Sequence, residues 1–291
     1  VLKQYPEVLE MLLKDHTTQQ NIYWATDSYA DRGEGYQFKD AIIADSITGD
    51  NGMIIRPRSV KSKDEQTKRS KDMAEVFTPS WLCNAQNNLI DDAWFGKQGV
   101  FNAESPEHTW KATTGKIEFP EGKTWKDYVR DTRLEITCGE APYLVSRYDT
   151  VSGMPIELAE RIGLLDRKLR VVSENTETTG EFLDWCQEAY KNTYGYEWQG
   201  DNLLLAREAL LFTFLDYYRA KFGEEPLLKS IQYIAYIISW NVWQMDGLKF
   251  CPPGEEPCEG DLFNPSNLCL IRDWRKPRDK QKIYFKSLLK S

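Results

Sequence analysis

The chain has 291 residues, with 37 Lys and Arg against 45 Asp and Glu for a net charge of −8. That length supports a sizeable core in one large or two modest domains, and 41% hydrophobic with 13% aromatic residues exclude general disorder. Net acidity excludes a surface that is basic throughout, two His leave little for a His-rich metal site or a His-based triad, and no apolar run reaches the roughly 18 residues that cross a bilayer.

Val8, Leu9, Leu12 and Leu13 predict an amphipathic helix within the first twenty residues. Asp50-Asn51-Gly52, followed by Met53-Ile54-Ile55, predicts a hairpin. Lys61 to Ala74 forms a highly charged helix candidate and marks a domain boundary. Trp81 to Ile90 has helical spacing, and residues 96–125 are punctuated by Gly and Pro as a loop would be. A short helix is expected at Trp125–Arg130 and a strand at Thr132–Thr137, the latter running through Cys138-Gly139 into a further helix. Tyr194 to Trp198 and Trp240 to Met245 read as strands, with long helices at Asn202–Phe222 and Leu227–Ile238. Strands alternating with long helices predict an α/β domain with a mainly parallel sheet.

The chain is uneven in charge. Arg56 to Lys71 carries seven cations against two carboxylates, and Arg272 to Ser291 eight against two. In the second island Arg272, Trp274, Arg275 and Lys276 combine cations with an indole, a composition suited to nucleic-acid backbone contact and stacking. Solvated surfaces account for both islands equally well. The six Cys are scattered, which suits a reducing cytosol, and the opening residues lack the basic-then-apolar grammar of a signal peptide, so a cytoplasmic location is expected. Cys251, Cys258 and Cys269 lie close in sequence without the paired spacing of a zinc site, so no metal is expected. Pro257-Cys258 sits among glutamates that would raise its thiol pKa, so it does not suit a nucleophile.

The sharpest local signal is Leu134-Glu135-Ile136-Thr137-Cys138-Gly139-Glu140-Ala141-Pro142-Tyr143-Leu144, a strand entering a small-residue turn. In an open α/β sheet such a turn lies at the carboxyl end of a strand, where ligands bind. No Gly-Lys-Ser/Thr follows, which excludes a phosphate loop. The stretch resembles the cofactor loop of S-adenosylmethionine-dependent adenine-N6 DNA methyltransferases, usually Asp-Pro-Ala-Cys-Gly-Ser-Gly-x-Phe-Leu. Glu135 stands for the Asp, Cys138-Gly139 match, Ala141 replaces the second Gly, and Tyr143-Leu144 match the apolar end. Upstream, Glu75-Val76-Phe77-Thr78-Pro79 resembles the Gly-x-Phe/Tyr-Thr-Pro element of the subclass that includes restriction-modification M subunits. Gly195-Tyr196-Glu197-Trp198 resembles the segment whose acidic residue binds the cofactor ribose, with Asp166 as the alternative to Glu197. Asn241 to Leu248 resembles the segment whose Asp, here Asp246, contacts the adenine amino group.

The resemblance implies a Rossmann-like methyltransferase sheet, of seven-stranded type with helices on both faces, over residues 76–291, preceded by a mainly helical region over 1–75. It implies S-adenosylmethionine as cofactor, held by Phe77, Thr78, Pro79, Glu135, Thr137, Cys138, Gly139, Tyr143, Glu197 and Asp246. It further implies double-stranded DNA as substrate and a specificity or second catalytic subunit as partner. The family's Asn/Asp-Pro-Pro-Tyr/Phe motif, which polarises the target amino group and stacks on the flipped base, has no match. Asn264-Pro265 is the only candidate, without the second Pro and the aromatic ring. Two main readings therefore stay open: an active adenine-N6 methyltransferase, its missing motif replaced by Asn264-Pro265 or supplied by a partner, or an accessory protein that keeps the fold and lacks the chemistry. A methyltransferase acting on a small molecule or another nucleic acid is a third.

Overall fold

The computed structural model describes residues 5–73, 75–260 and 266–290. Asn264 and Pro265 lie outside the described residues. Helix α1 (Pro6–Leu13) starts with Pro at its first turn and buries Val8, Leu9, Leu12 and Leu13, as the spacing predicts. Helices α2 (Ala44–Ile47), α3 (Lys63–Met73) and α4 (Ser80–Phe95) follow. The predicted hairpin at 50–52 is instead a tight helical turn, Gly49–Asn51. It follows Thr48, which ends α2 and donates its Oγ1 to the Ala44 carbonyl, and no strand forms on either side. Within 96–125, expected to be loop, a hairpin pairs β1 (Asn102–Ser105) with β2 (Thr109–Ala112).

Helix α5 (Trp125–Arg130) is set by a capping box between Thr124 and Asp127. Strand β3 (Arg133–Glu135) leads to α6 (Leu164–Asn175) and α7 (Thr179–Lys191), the latter with a second capping box, Thr178 and Glu181. Strand β4 (Thr193–Glu197), α8 (Gly200–Phe222), α9 (Leu228–Asn241) and β5 (Val242–Gln244) complete the central unit. Helix α8 is buried from Gly200 to Tyr218 on most of its surface, its polar Asp201, Asn202 and Arg207 included. A separate antiparallel pair, β6 (Leu270–Arg272) and β7 (Lys282–Tyr284), follows.

The fold is α/β, with one three-stranded parallel sheet in the order β3-β4-β5 and two small antiparallel pairs. The seven strands expected of the sheet are not found among the described residues. Nor are its two faces covered alike. On one face Gly195 abuts Cys138 and Leu144, and Val242 joins the large core built by α1 and α5 to α9. On the other, Tyr196 and Trp243 pack on Phe285 of the C-terminal segment, with ring centroids 6.0 and 5.1 Å apart, and Tyr194 donates its hydroxyl to the Arg272 carbonyl at 2.9 Å. Helices on both faces were expected; here the second face carries the β6–β7 pair. Crossovers of one hand that add strands in one direction keep their helices on one side, and only a reversal of strand order would place helices on the other.

Residues on both sides of position 75 share that core. Arg207, buried in α8, donates to the carbonyls of Leu12, Lys14, Val242 and Ser239, tying α1 to β5 and α9. Gln244 of β5 bonds the Tyr23 backbone at 3.0 and 2.8 Å. Among the described residues, no helix is long and apolar enough to cross a membrane.

Candidate functional site

At the carboxyl ends of β3 and β4 lies a cleft of about 850 Å³. Its walls come from Phe38 and three further segments: Lys71 to Met73 with Glu75 to Thr78, Glu135 to Tyr143, and Glu197 to Asn202. Of the residues implied by the resemblance, Phe77, Thr78, Glu135, Thr137, Cys138, Gly139, Tyr143 and Glu197 all line it. Volume and position suit a small-molecule site in an open α/β sheet.

The turn after β3 is wound tightly. Thr137, Gly139 and Ala141 all have left-handed backbones, with φ of 46, 54 and 61°. Such conformations cost non-glycine residues about 1–2 kcal/mol each and persist where the surroundings impose them. Four hydrogen bonds impose them here. The Cys138 N–H donates to the Tyr196 carbonyl at 2.8 Å, extending the β3–β4 pairing. The Gly139 N–H donates to Glu197 Oε2 at 2.8 Å. The N–H groups of Tyr143 and Leu144 donate to the Glu135 carboxylate at 3.4 and 3.2 Å. The helix expected after Gly139 does not form. Pro142 lacks an N–H, Ala141 is left-handed, and Glu135 takes the N–H groups that a helix start would present. The chain next turns helical in a single short turn at Leu158–Glu160, and the next α-helix is α6.

Phe77 packs beneath this turn: a Cβ added at Gly139 would lie 3.3 Å from Phe77 Cε1. The two elements that resemble the family's motifs therefore touch. Glu135 and Glu197 are both buried. Burial, with Glu197 adding to it, pushes the Glu135 carboxyl well above its usual range, against the pull of the Tyr143 and Leu144 N–H groups. Burial likewise pushes Glu197 up to about 7, opposed by the N–H groups of Gly139 and Gln199.

Sequence reasoning missed the support behind the cleft. Arg69 of α3, buried, bonds Glu75 at 2.6 Å, Gln199 at 2.5 Å and Asp201 at 2.9 and 3.1 Å. Asn202 donates to Glu75 Oε2 at 3.0 Å, and Tyr29 to Asp201 at 2.8 Å. Burial opposes the Asp201 charge, but Arg69 and Lys61 outweigh it and hold Asp201 at about 2. The signal available in the sequence was position: Gln199, Asp201 and Asn202 follow β4 as Cys138 and Gly139 follow β3. Asn202 Oδ1 and Glu75 Oε1 are buried without a hydrogen-bond donor, and Glu75 Oε1 faces the Arg58 guanidinium at 3.6 Å.

Four carboxylates (Asp72, Glu75, Glu135 and Glu197) and one lysine, Lys71, line the cleft. Burial pushes Glu135 and Glu197 toward their neutral forms and Glu75 is paired with Arg69, so the wall offers carboxyl oxygens more than net charge. With no helix start at the turn it lacks the N–H cradle of a pyrophosphate site and suits a nucleoside.

Other implied residues fall elsewhere. Pro79 precedes the first residue of α4 and does not line the cleft. Asp246 lies beyond β5, where its Oδ1 takes the N–H groups of Leu248 and Lys249 at 2.8 and 3.1 Å, and it too stays off the cleft wall. Asp166, the alternative to Glu197, is buried in the first turn of α6 and accepts from Ser146, away from the cleft. In the basic tail, the Trp274 indole donates to Asn241 at 2.8 Å and Arg272 lies 4.2 Å from its ring centroid. Arg275 forks onto Asp273 at 2.8 and 3.2 Å, while Lys276 is exposed. Trp274 and Arg272 thus anchor the C-terminal segment. No family model matches the chain, and neither a curated protein nor a solved structure matches it.

Proposed function

We propose that the cleft binds S-adenosylmethionine and that the chain is an adenine-N6 DNA methyltransferase or the M subunit of a restriction-modification system. The observation that carries this reading is the meeting of three sequence-distant segments, Phe77-Thr78, Glu135 to Tyr143 and Glu197, on one acidic cleft at the ends of parallel strands. The cofactor is a nucleoside with a sulfonium and an ammonium against one carboxylate. The carboxyl groups of the wall offer acceptors for the cofactor's ribose hydroxyls and its ammonium.

In this reading Glu197 is placed to accept from the ribose hydroxyls, the left-handed turn at Thr137 to Ala141 lets the ligand approach the backbone, and Phe77 and Trp198 supply apolar surface. The unfilled acceptor Asn202 Oδ1 suits a donor such as the methionine ammonium. When bound, the cofactor supplies an activated methyl group. A neutral adenine amino group is a weak nucleophile, so the protein's contribution is to hold it in line and to take charge from its nitrogen. Asn264 with Pro265 is the only pair in the chain that resembles the groups for that task.

A second reading is favoured by the short sheet: three parallel strands where the family's sheet is of seven-stranded type. In it the chain is an accessory protein that binds cofactor, DNA or both without transferring a methyl group.

Calorimetric titration with S-adenosylmethionine and S-adenosylhomocysteine, on wild type and Glu197→Ala, tests the cofactor site. Micromolar binding that the variant loses supports it; no binding at millimolar cofactor overturns it. Where binding holds, transfer of labelled methyl groups to duplex DNA separates the two readings. Transfer that Asn264→Ala leaves unchanged would remove Asn264 from the chemistry.

A further inference from the structure

Behind the cleft, between the segment around Tyr29 and helix α3, lies a second cavity of about 380 Å³. Its lining includes Arg32, Arg56, Lys61, Lys68 and Arg69 against the carboxylates of Asp31 and Glu65. These cations are not equally engaged. Arg69 is committed to Glu75, Gln199 and Asp201. Arg56 pairs with Glu65 at 3.1 Å, but its Nε is buried with no acceptor. Lys61 has a side chain only 5% exposed, and its Nζ has no hydrogen-bond acceptor, the nearest carboxylate oxygen being Asp201 Oδ2 at 3.6 Å. Arg32 and Lys68 are exposed and form no ion pair among the described residues.

A buried ammonium with all three N–H groups unfilled is costly unless something accepts from it. Asp201 balances its charge from 3.6 Å without filling an N–H, and the rest of the lining sets Arg32, Arg56, Lys68 and Arg69 against Asp31 and Glu65, so the missing acceptor is an anion with several oxygens. We infer that this cavity is a phosphate-binding pocket that seats one backbone phosphodiester of a DNA strand, held by Lys61 at its base and by Arg32, Arg56 and Lys68 at its mouth. This inference rests on the reading of the neighbouring cleft as the methyltransferase site. A nucleic-acid strand rather than a free anion is favoured by the continuation of the charge. Lys68 and Lys71 lie one turn apart on α3, Lys68 at the pocket and Lys71 on the cleft wall. A chain of phosphates held at the pocket is thereby led toward the cleft, where a flipped base would have to arrive. The body of the protein is acidic, so such a track confines the DNA to this face.

The test uses a short fluorescein-labelled duplex followed by anisotropy across a range of salt, with wild type and the Arg32→Gln/Lys68→Gln double variant. Both positions are exposed, and neither lies on the cofactor cleft. The expected result is about a tenfold loss of affinity, with the slope of log K against log salt smaller by about 2. Lys61→Met should lower affinity further without restoring the slope. Unchanged affinity and slope in the double variant, or no salt-dependent DNA binding by wild type, overturns the inference. So does the case where inorganic phosphate raises the melting temperature of wild type and not of the variant while DNA binding is indifferent to the change, since the pocket would then take a free anion. Cofactor binding is measured separately by calorimetry. The expected slope change in a protein that ignores S-adenosylmethionine would support the pocket and sink the cofactor reading.

Discussion

Glu197 Oε2 accepts the Gly139 N–H at 2.8 Å, so the carboxylate at the end of β4 holds the turn at the end of β3. Its other oxygen accepts from the Gln199 N–H at 3.2 Å. A single buried side chain thus sets the backbone on both strands at the rim of the cleft. A ligand that hydrogen-bonds Glu197 must share or displace these contacts, which couples binding to the shape of the turn.

The burial of Glu197 has a consequence for stability. Its folded pKa, about 7, lies above the ordinary 4.5, so the neutral carboxyl stabilises the fold fully below pH 4.5, and that contribution is lost as pH rises through 7. Glu197→Gln keeps a neutral acceptor at every pH. The variant should be more stable than wild type at pH 8 by about 1–3 kcal/mol, with no gain at pH 4.5. Urea unfolding at the two pH values checks this, and a wild type that is the more stable protein at pH 8 contradicts it.

The turn itself offers two substitutions of opposite sign. Thr137 is exposed and β-branched at φ 46°, so Thr137→Gly should stabilise the protein by about 1 kcal/mol. Gly139→Ala meets both a left-handed backbone and the Phe77 ring, and should cost about 1–2 kcal/mol. Thermal melts of the pair give the signs. Two changes of the same sign would mean that the turn is not held in this conformation.

His16 stacks on Trp240, with ring centroids 3.8 Å apart, and its Nε2 lies 2.9 Å from Ser239 Oγ. Burial, with the Arg207 charge adding to it, pushes its imidazole down to about 3. A folded pKa below the ordinary 6.5 means that its contribution is fully present above pH 6.5 and drains away as pH falls toward 3. Between pH 7 and 5 wild type should lose about 1–2 kcal/mol more than His16→Phe, which keeps the stack and cannot titrate. Equal losses in the two proteins by urea titration would show that His16 is protonated in the fold.

Arg207→Met should be severe, at about 3–5 kcal/mol, because four buried carbonyls on α1, α9 and β5 lose a charged donor at once. The methionine fills much of the volume but bonds to none of them. Unfolding midpoints measure the loss, and hydrogen exchange should show the first two dozen residues exposed first. A loss below about 1 kcal/mol would mean that water satisfies these carbonyls.

Much of this was legible without the structure. The 3.6-residue spacing of Val8, Leu9, Leu12 and Leu13 marks α1, and the apolar runs mark α8 and α9, because one element buries its own face and writes that pattern locally. The strand-to-turn grammar at Glu135 to Gly139 and at Glu197 was equally local, and the cleft unites the two. Other features were not local. The turn chemistry of Asp50-Asn51-Gly52 suits a hairpin, yet the segment winds into a helical turn directly after α2 and no strand pairs there. The aromatic tail around Trp274 has the composition of a nucleic-acid surface, but its indole and the Arg272 guanidinium are spent on packing.

The sequence by itself determined the class of the fold, the helices that build its core, and the two acidic strand ends at which a ligand could sit. Only the tertiary structure decided that Phe77 lies under Gly139, that Arg69 reaches Asp201 across 132 positions, and that the second face of the sheet is closed by β6 and β7. The division has a physical cause. Periodicity and turn propensity report what a residue's neighbours in sequence need, whereas burial of a charge is settled by whichever distant partner arrives to neutralise it.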